Sequence, residues 1–305
     1  ILDSTLALIK KELRLQTGHY LESQSTLVTD RLNPTALGNL LSYHFYNTKL
    51  AKHSFGINQY NAYAINTNEN DIANRDHNLY GVHYGYAFKE RTNKFNFSTK
   101  ALIERNSENK LFYNSSLRAT KSKDSLYSSI GLSIRPAITG PAYSLNIYRS
   151  QLEVYEEYQF NSKISGVLAL EGNYYTDKVI DGLVVSKFIY SYKFKSFDSL
   201  NPYTEIAGML GNTNRVNGFP YWTIKERFYG GIGINYLHNN PSTKLEYGVN
   251  VGGFLDTFSD QFLRYGGQVN YPISDYFKLN ANAEFYTLKN FYSNNFNVGL
   301  TYYLK

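Results

Sequence analysis

The chain ends Phe291-Tyr-Ser-Asn-Asn-Phe-Asn-Val-Gly-Leu-Thr-Tyr-Tyr-Leu-Lys305, and this stretch decides the fold. From Asn295 onward, apolar residues alternate strictly with residues that are mostly polar or small. The apolar side consists of Phe296, Val298, Leu300, Tyr302 and Leu304. Successive side chains of a β-strand point to opposite faces, so the pattern predicts a strand with one apolar and one polar face.

The same alternation recurs along nearly the whole chain and predicts sixteen strands. They are residues 18–30, 36–48, 52–66, 77–89, 93–104, 109–121, 124–135, 143–161, 163–175, 180–193, 200–211, 221–237, 243–255, 259–271, 274–286 and 291–304. Almost no helical sequence is present to cover the apolar faces. The pattern therefore predicts an all-β fold, a transmembrane antiparallel up-and-down β-barrel that is apolar outside and polar inside. The eighth segment is long enough to contain a bend, so fourteen or eighteen strands are the alternatives.

Composition supports this prediction. The 30 Tyr and 19 Phe among 305 residues suit strands, and tyrosine also suits the interface between membrane and water. Mean hydropathy is −0.42, and no run of about 18 apolar residues is present, which excludes membrane-spanning helices. The net charge of +6 indicates an anionic substrate or contact with phosphate-bearing lipid headgroups, unless it reflects a mixed-charge wet surface.

Two regions are predicted. Residues 1–16 form a helical segment, capped by Asp3 or Ser4 and interpreted as the end of a helical domain, with a linker or an interfacial helix as alternatives. Residues 17–305 form the barrel. Because the first residue is Ile rather than Met, we expect that further chain precedes it.

The predicted links between strands alternate in length. Long links are expected at 67–76, 135–142, 176–182 and 211–220, and tight turns at 120–124, 161–163 and 272–275, with 193–201 as an exception. Bacterial barrels place short turns on the periplasmic side and long loops outside. The alternation therefore favours an outer-membrane barrel whose N-terminus is periplasmic.

Charged residues identify the face that lines the interior, because Lys or Arg facing lipid at mid-depth costs about 2–4 kcal/mol. The predicted pore-lining residues are Arg118, Arg135, Arg149, Gln151, Glu153, Tyr155, Glu157, Glu171, Asn173, Tyr175, Lys187, Arg227, Glu246, Arg264, Lys278 and Glu284. Inward glycines such as Gly252 are expected to leave a wide, wet lumen. The row from Arg149 to Gln159, beside Glu171 to Tyr175, is a candidate sugar path. The alternative is a cross-strand ladder that stiffens the wall.

The sequence carries no recognisable enzymatic or metal signature. The chain has no cysteine, its 6 histidines are scattered, and no HExxH, GxSxG or P-loop motif occurs. We predict no catalytic residues, no metal, no cofactor and no nucleic-acid partner. The Asn/Asp-rich stretch Asn66–Asp76 lacks EF-hand spacing, so a solvated loop is favoured over a calcium site.

Several motifs together carry a family resemblance. They are Arg135-Pro136, Thr139-Gly140-Pro141-Ala142-Tyr143-Ser144-Leu145, Tyr155-Glu156-Glu157-Tyr158-Gln159-Phe160, Asn173-Tyr174-Tyr175-Thr176-Asp177, Tyr190-Ser191-Tyr192 and Gly218-Phe219-Pro220-Tyr221-Trp222-Thr223. Their order resembles the C-terminal outer-membrane barrel of tetratricopeptide-repeat exopolysaccharide export porins, of the cellulose and poly-N-acetylglucosamine exporter type. The resemblance spans residues 17–305 and implies that the helical segment 1–16 is the end of a periplasmic repeat domain. One departure is the ending Leu304-Lys305, where such barrels often end in an aromatic residue.

The resemblance implies an outer-membrane channel of a Gram-negative bacterium that passively exports an extracellular polysaccharide. Its expected partners are the polysaccharide, outer-membrane lipids and lipopolysaccharide, and periplasmic synthesis or modification proteins that bind an upstream domain. A general or substrate-specific diffusion porin is the first alternative, and an inward-folded loop would favour it. A barrel-anchored enzyme or adhesin is the second.

Overall fold

The computed structural model describes residues 18–30, 33–47, 50–65, 73–89, 95–215, 221, 223, 225–257, 260–287 and 293–304. The predicted helix at 1–16 and most of the stretch 66–76 lie outside these ranges. Sixteen antiparallel strands form a closed barrel, which confirms the predicted fold and strand number. Within the described ranges, no helix is long and apolar enough to cross a membrane.

The strands follow one another around the barrel in chain order. They are β1 Tyr20–Asp30, β2 Asn33–Tyr46, β3 Ala51–Ala62, β4 His77–Lys89, β5 Phe95–Asn106, β6 Leu111–Lys123, β7 Leu126–Pro136, β8 Tyr148–Gln159, β9 Ile164–Tyr175, β10 Ile180–Tyr190, β11 Asp198–Gly211, β12 Glu226–Asn240, β13 Leu245–Asp256, β14 Gln261–Pro272, β15 Phe277–Tyr286 and β16 Ser293–Tyr303. After a break at Ser191, β10 continues as Tyr192–Lys193, which also pairs with β11.

The C-terminal strand closes the barrel. β16 pairs with β15 on one side and with β1 on the other, where Gly299 lies opposite Gln24. β1 also pairs with β2, so the ladder is continuous and leaves no open sheet edge.

The two faces of the wall differ as the alternation predicts. On β4, Tyr80, Val82 and Tyr84 are exposed on the outer face, whereas His83 and Gly85 between and beside them are buried. The most exposed large apolar side chains of the described barrel are Ile206 on β11 and Ile232 on β12, at 70% and 69%. An apolar outer face of this kind suits contact with lipid rather than with water.

The two ends of the barrel also differ. Long links at residues 63–76, 137–147 and 212–225 lie at one end, termed here the long-loop end. At the opposite end, the short-turn end, the longest link is residues 90–94. The predicted length alternation therefore holds with two corrections. The ninth link shortens to 176–179 because β10 begins at Ile180, and the tenth shortens to 194–197 because β11 begins at Asp198.

The link 137–147 contains a short helix, α1, at Gly140–Ser144. Thr139 caps its start by accepting a hydrogen bond from the Ala142 amide, and Pro141 occupies the first turn. The prediction that the eighth strand begins at 143 was wrong, because Tyr143 belongs to this helix and β8 starts at Tyr148.

The outer face yields a first prediction. Ile232→Arg should destabilise the folded barrel in a bilayer by about 2–4 kcal/mol, because it places a charge against lipid. Gln268→Arg is the matched control, since Gln268 is exposed on the inner face of β14. Urea unfolding in liposomes measures both variants. Equal losses of stability would contradict the assignment of the two faces.

Candidate functional site

The sixteen residues predicted to line the pore share the inner face of the barrel. Side chains of directly paired residues lie on the same side of an antiparallel sheet. The row Arg118–Gly131–Glu153–Glu171 runs across β6 to β9 in this way. Pairing and two-residue spacing connect the full set to the same face, and it comprises Arg118, Arg135, Arg149, Gln151, Glu153, Tyr155, Glu157, Glu171, Asn173, Tyr175, Lys187, Arg227, Glu246, Arg264, Lys278 and Glu284.

One group of these residues forms an acidic, tyrosine-containing groove of about 600 Å³ along β6 to β9. Its inner-face lining includes Arg118, Tyr127, Glu153, Tyr155, Glu157 and Glu171. The Tyr155 hydroxyl donates to the Glu157 carboxylate at 3.2 Å, and Arg118 pairs with Glu153. The groove therefore presents hydrogen-bonding groups and aromatic rings next to one another. This segment is called the acidic groove below.

A second group of charges lies farther around the wall, on β10 to β14. The Glu205 carboxylate, whose side chain is 1% exposed, accepts hydrogen bonds from Arg264 at 2.6 and 2.8 Å. The Lys187 ammonium is 3.2 Å from the same carboxylate. Arg264 lies on β14, three strands from Glu205 on β11, so this contact can form only across the inner surface of the wall. Nearby, Arg227 pairs with the buried Asp256.

Tyr203 lies flat between these charges and the wall. Lys187 and Arg264 stand over its ring, with the Lys187 Nζ 4.1 Å from the ring centroid. A Cβ atom at Gly233 or Gly252 would come within 2.3 or 2.7 Å of the tyrosine hydroxyl. The prediction that Gly252 leaves open space was therefore wrong. The absent side chains make room for the Tyr203 ring. This ring forms a second layer of protein on the inner surface of the wall.

The link 137–147 folds into the barrel from the long-loop end. Tyr143 of α1 is 3% exposed and packs in one cluster with Ala62, Leu79 and Phe112, which all lie on the inner face. The Gly140 amide donates to the Tyr63 carbonyl at 2.9 Å and fixes the link against the neighbouring long loop. This inward loop reduces the opening on the β3 to β6 side.

Polar contacts connect the inward loop's neighbours at the long-loop end. The Asp177 carboxylate accepts hydrogen bonds from the Tyr221 hydroxyl at 2.6 Å and from Arg215 at 2.9 Å. The Tyr175 and Tyr221 rings stack with their centroids 4.2 Å apart. Burial, followed by the hydrogen bond to Asp177, raises the pKa of the Tyr221 hydroxyl. Ala142 and Ile147 of the inward loop pack in the same cluster as these two tyrosines, so three links form one assembly.

The inward loop is the main functional element that the sequence reasoning missed. The apolar residues Tyr143 and Leu145 were interpreted as the start of a strand. The combination of Thr139 with Pro141 is a helix-start signal, and it would have predicted α1.

Two serine–histidine pairs face the interior, and neither has the arrangement of a catalytic dyad. Ser144 Oγ is 2.7 Å from His77 Nε2, and Ser42 Oγ is 3.2 Å from His83 Nε2. Asn106 uses its carbonyl oxygen to accept from the Lys110 amide, so its NH₂ group faces His77 Nδ1. His77 Nε2 then carries the proton and donates to Ser144, which is the wrong direction for a general base.

The second pair, Ser42 and His83, also lacks a group that would orient the histidine for catalysis. His83 Nδ1 is buried without a hydrogen-bond partner, so no carboxylate orients its ring. In the part of the chain that the structure describes, no group of three or more His, Cys, Asp or Glu side chains is placed to hold a metal ion.

Solved structures match this chain at low sequence identity. One titled a bacterial polysaccharide outer membrane secretin matches with a TM-score of 0.74 and 8% identity, covering 94% of this chain and 98% of its own. OprB of Pseudomonas putida gives 0.43 at 10% identity, covering 96% and 95%. OccK10 (OpdN) of Pseudomonas aeruginosa gives 0.45 at 12%, covering 94% and 98%. No family model matches the chain, and no curated protein sequence matches it either.

Proposed function

We propose that this protein is a bacterial outer-membrane channel through which an extracellular polysaccharide leaves the cell. The acidic groove is the observation that carries the proposal. It combines carboxylates, which accept hydrogen bonds from sugar hydroxyls, with Tyr127 and Tyr155, whose rings offer faces for sugar rings. A channel must bind its cargo weakly at several successive sites so that the cargo moves on. Rows of carboxylates and tyrosines would supply such a series of weak sites.

The architecture supports a wet passage. Sixteen strands give a barrel wide enough for an aqueous channel, and the charged inner face favours water. The structure with a TM-score of 0.74 is titled a polysaccharide secretin, which is consistent with the same cargo class here. Without a nucleotide-binding motif in the sequence, the polymer is pushed by its synthesis rather than pulled by the barrel.

In this proposal the long-loop end faces the cell exterior, and the outer face contacts outer-membrane lipids and lipopolysaccharide. Periplasmic synthesis or modification proteins deliver the chain to the short-turn end through an upstream domain. The sixteen inner-face residues then line the path of the polymer.

A diffusion porin is the second candidate, and the inward loop favours it. Loops folded into the lumen narrow the passage to the size of small solutes, and Tyr143 anchors such a loop here. The two functions differ in what blocks the ion current. A long neutral oligosaccharide should dwell in an export channel, whereas a diffusion porin should pass ions with little interruption from it.

The acidic groove gives a second prediction. Tyr155→Ala should weaken current block by a neutral cello-oligosaccharide by about three- to tenfold, because an aromatic stacking contact contributes ~0.5–1.5 kcal/mol. Single-channel recording in a planar bilayer measures the block. Tyr158→Ala is the matched control, because Tyr158 is on the same strand but 48% exposed on the outer face. Equal block in wild type and Tyr155→Ala would contradict the proposed sugar path, and an unblocked wild-type current would favour the diffusion porin.

A further inference from the structure

Two arginines near the long-loop end face each other without a counter-ion. Arg135 on β7 and Arg149 on β8 are direct partners in the antiparallel register, so both side chains lie on the inner face. Each side chain is partly buried, and the Nε atom of each is buried with no hydrogen-bond partner. Guanidinium N–H groups in such a position normally donate to an acceptor.

The surrounding carboxylates are already engaged. Among the described residues, neither arginine forms an ion pair. Arg149 donates to the side-chain oxygen of Gln151 at 3.2 Å and contacts the hydroxyl of Tyr175, its partner on β9, so both of its contacts are with neutral groups. Glu153 pairs with Arg118, and Asp181 accepts from Asn173 at 2.7 Å. Glu104 accepts from Asn58 at 2.6 Å. The two guanidinium groups are therefore neighbours on the inner face, and neither has a carboxylate bound to it.

This arrangement differs from that of the other inner-face arginines. Arg118, Arg227 and Arg264 each pair with a carboxylate on the wall. Two adjacent like charges with restricted access to water raise each other's energy, and an anion between them would relieve it. The planar fork of a guanidinium group also matches the oxygens of a carboxylate or phosphate with two parallel hydrogen bonds.

We infer that Arg135 and Arg149 form a binding site for an oxyanion, a carboxylate or phosphate group, on the inner face beside the inward loop. The inference rests on the proposed channel function and specifies its cargo as a polymer that carries acidic groups. The site flanks the inward loop directly, because Arg135 precedes Pro136 and Arg149 follows Tyr148 at the two ends of that loop. An acidic polymer that moves toward the long-loop end thus meets positive charge before the exit.

The probes for this site are oligogalacturonate, a neutral maltooligosaccharide of equal length, and inorganic phosphate. Arg135→Gln/Arg149→Gln should weaken current block by oligogalacturonate about tenfold or more, because it removes charge-assisted hydrogen bonds. Block by the neutral sugar should stay the same. Arg105→Gln is the matched control, since Arg105 near the same end of the barrel is exposed on the outer face of β5, opposite Tyr80. Heat-modifiable migration in gels verifies that each variant folds.

The outcomes separate the possible sources of the anion. If phosphate binds as tightly as oligogalacturonate and the double variant loses both, the oxyanion site stands but serves a free ion. If oligogalacturonate alone binds tightly, the site serves an acidic polymer. Undiminished block in the double variant, or an equal loss in Arg105→Gln, would overturn the inference. Neutral-sugar block that still depends on Tyr155 would leave the polysaccharide channel intact even then.

Discussion

Replacing Glu205 by alanine is expected to destabilise the barrel by about 3–5 kcal/mol, the range seen when one partner of a buried ion pair is removed. Glu205 is 1% exposed and is the shared counter-ion of Lys187 and Arg264, whose side chains are 21% and 13% exposed. Its loss leaves two cations close together above the ring of Tyr203, and their remaining carboxylate contact is the longer one from Arg264 Nε to Glu284, at 3.9 Å.

Urea unfolding in detergent or liposomes, followed by tyrosine fluorescence, measures this loss. Glu246→Ala is the control, because Glu246 is a partly exposed inner-face carboxylate whose contact with Asn270 is a longer 3.3 Å hydrogen bond. Replacing Glu205, Lys187 and Arg264 together by Leu, Met and Met should restore most of the stability, since no unpaired charge then remains. A Glu205→Ala variant as stable as Glu246→Ala would show that water reaches the cluster freely.

Replacing Tyr143 by alanine is expected to release the inward loop and raise the single-channel conductance. Removing a buried aromatic side chain costs about 3–5 kcal/mol, and each ~1.4 kcal/mol changes an equilibrium tenfold. The docked position of the loop should therefore lose at least two orders of magnitude in its equilibrium constant. We expect a larger mean current with rapid fluctuations as the loop leaves and re-enters the lumen.

Leu145→Ala is the control for this experiment. Leu145 is in the same link but 48% exposed, so its removal should leave the conductance unchanged. If Tyr143→Ala conducts like wild type, the inward loop is not what limits the passage. The result also bears on function, because a channel for a polymer gains more from loop release than a channel for ions alone.

The strands could be predicted from the sequence because alternation is a local property. The fourth strand was predicted at 77–89 and is observed at His77–Lys89, where tyrosines on one face alternate with small and polar residues on the other. The error at the eighth strand has a physical cause as well. Ala142 and Tyr143 are apolar because they pack against an inner wall, and an apolar residue does not reveal which surface buries it.

The pairing of inner-face charges could not be predicted in the same way. Alternation places Arg135, Arg149, Glu205 and Arg264 on one face, but their partners depend on shear and on strands that are distant in sequence. Arg264 meets a carboxylate 59 residues away, whereas Arg149 meets another arginine directly across the ladder. The sequence therefore predicted a mixed-charge interior without separating its paired cations from its unpaired ones.

Tyr203 restricts the register of the neighbouring strands β12 and β13. The ring fits only where Gly233 of β12 and Gly252 of β13 lie beneath it. A slip of one residue in either strand would turn every side chain to the opposite face. A slip of one residue in β12 would place Ile232 or Ile234 under the ring. A slip of two residues in β13 would place Asn250 or Phe254 there. We therefore expect these misaligned pairings to be disfavoured, because the side chains they bring under the ring would collide with it.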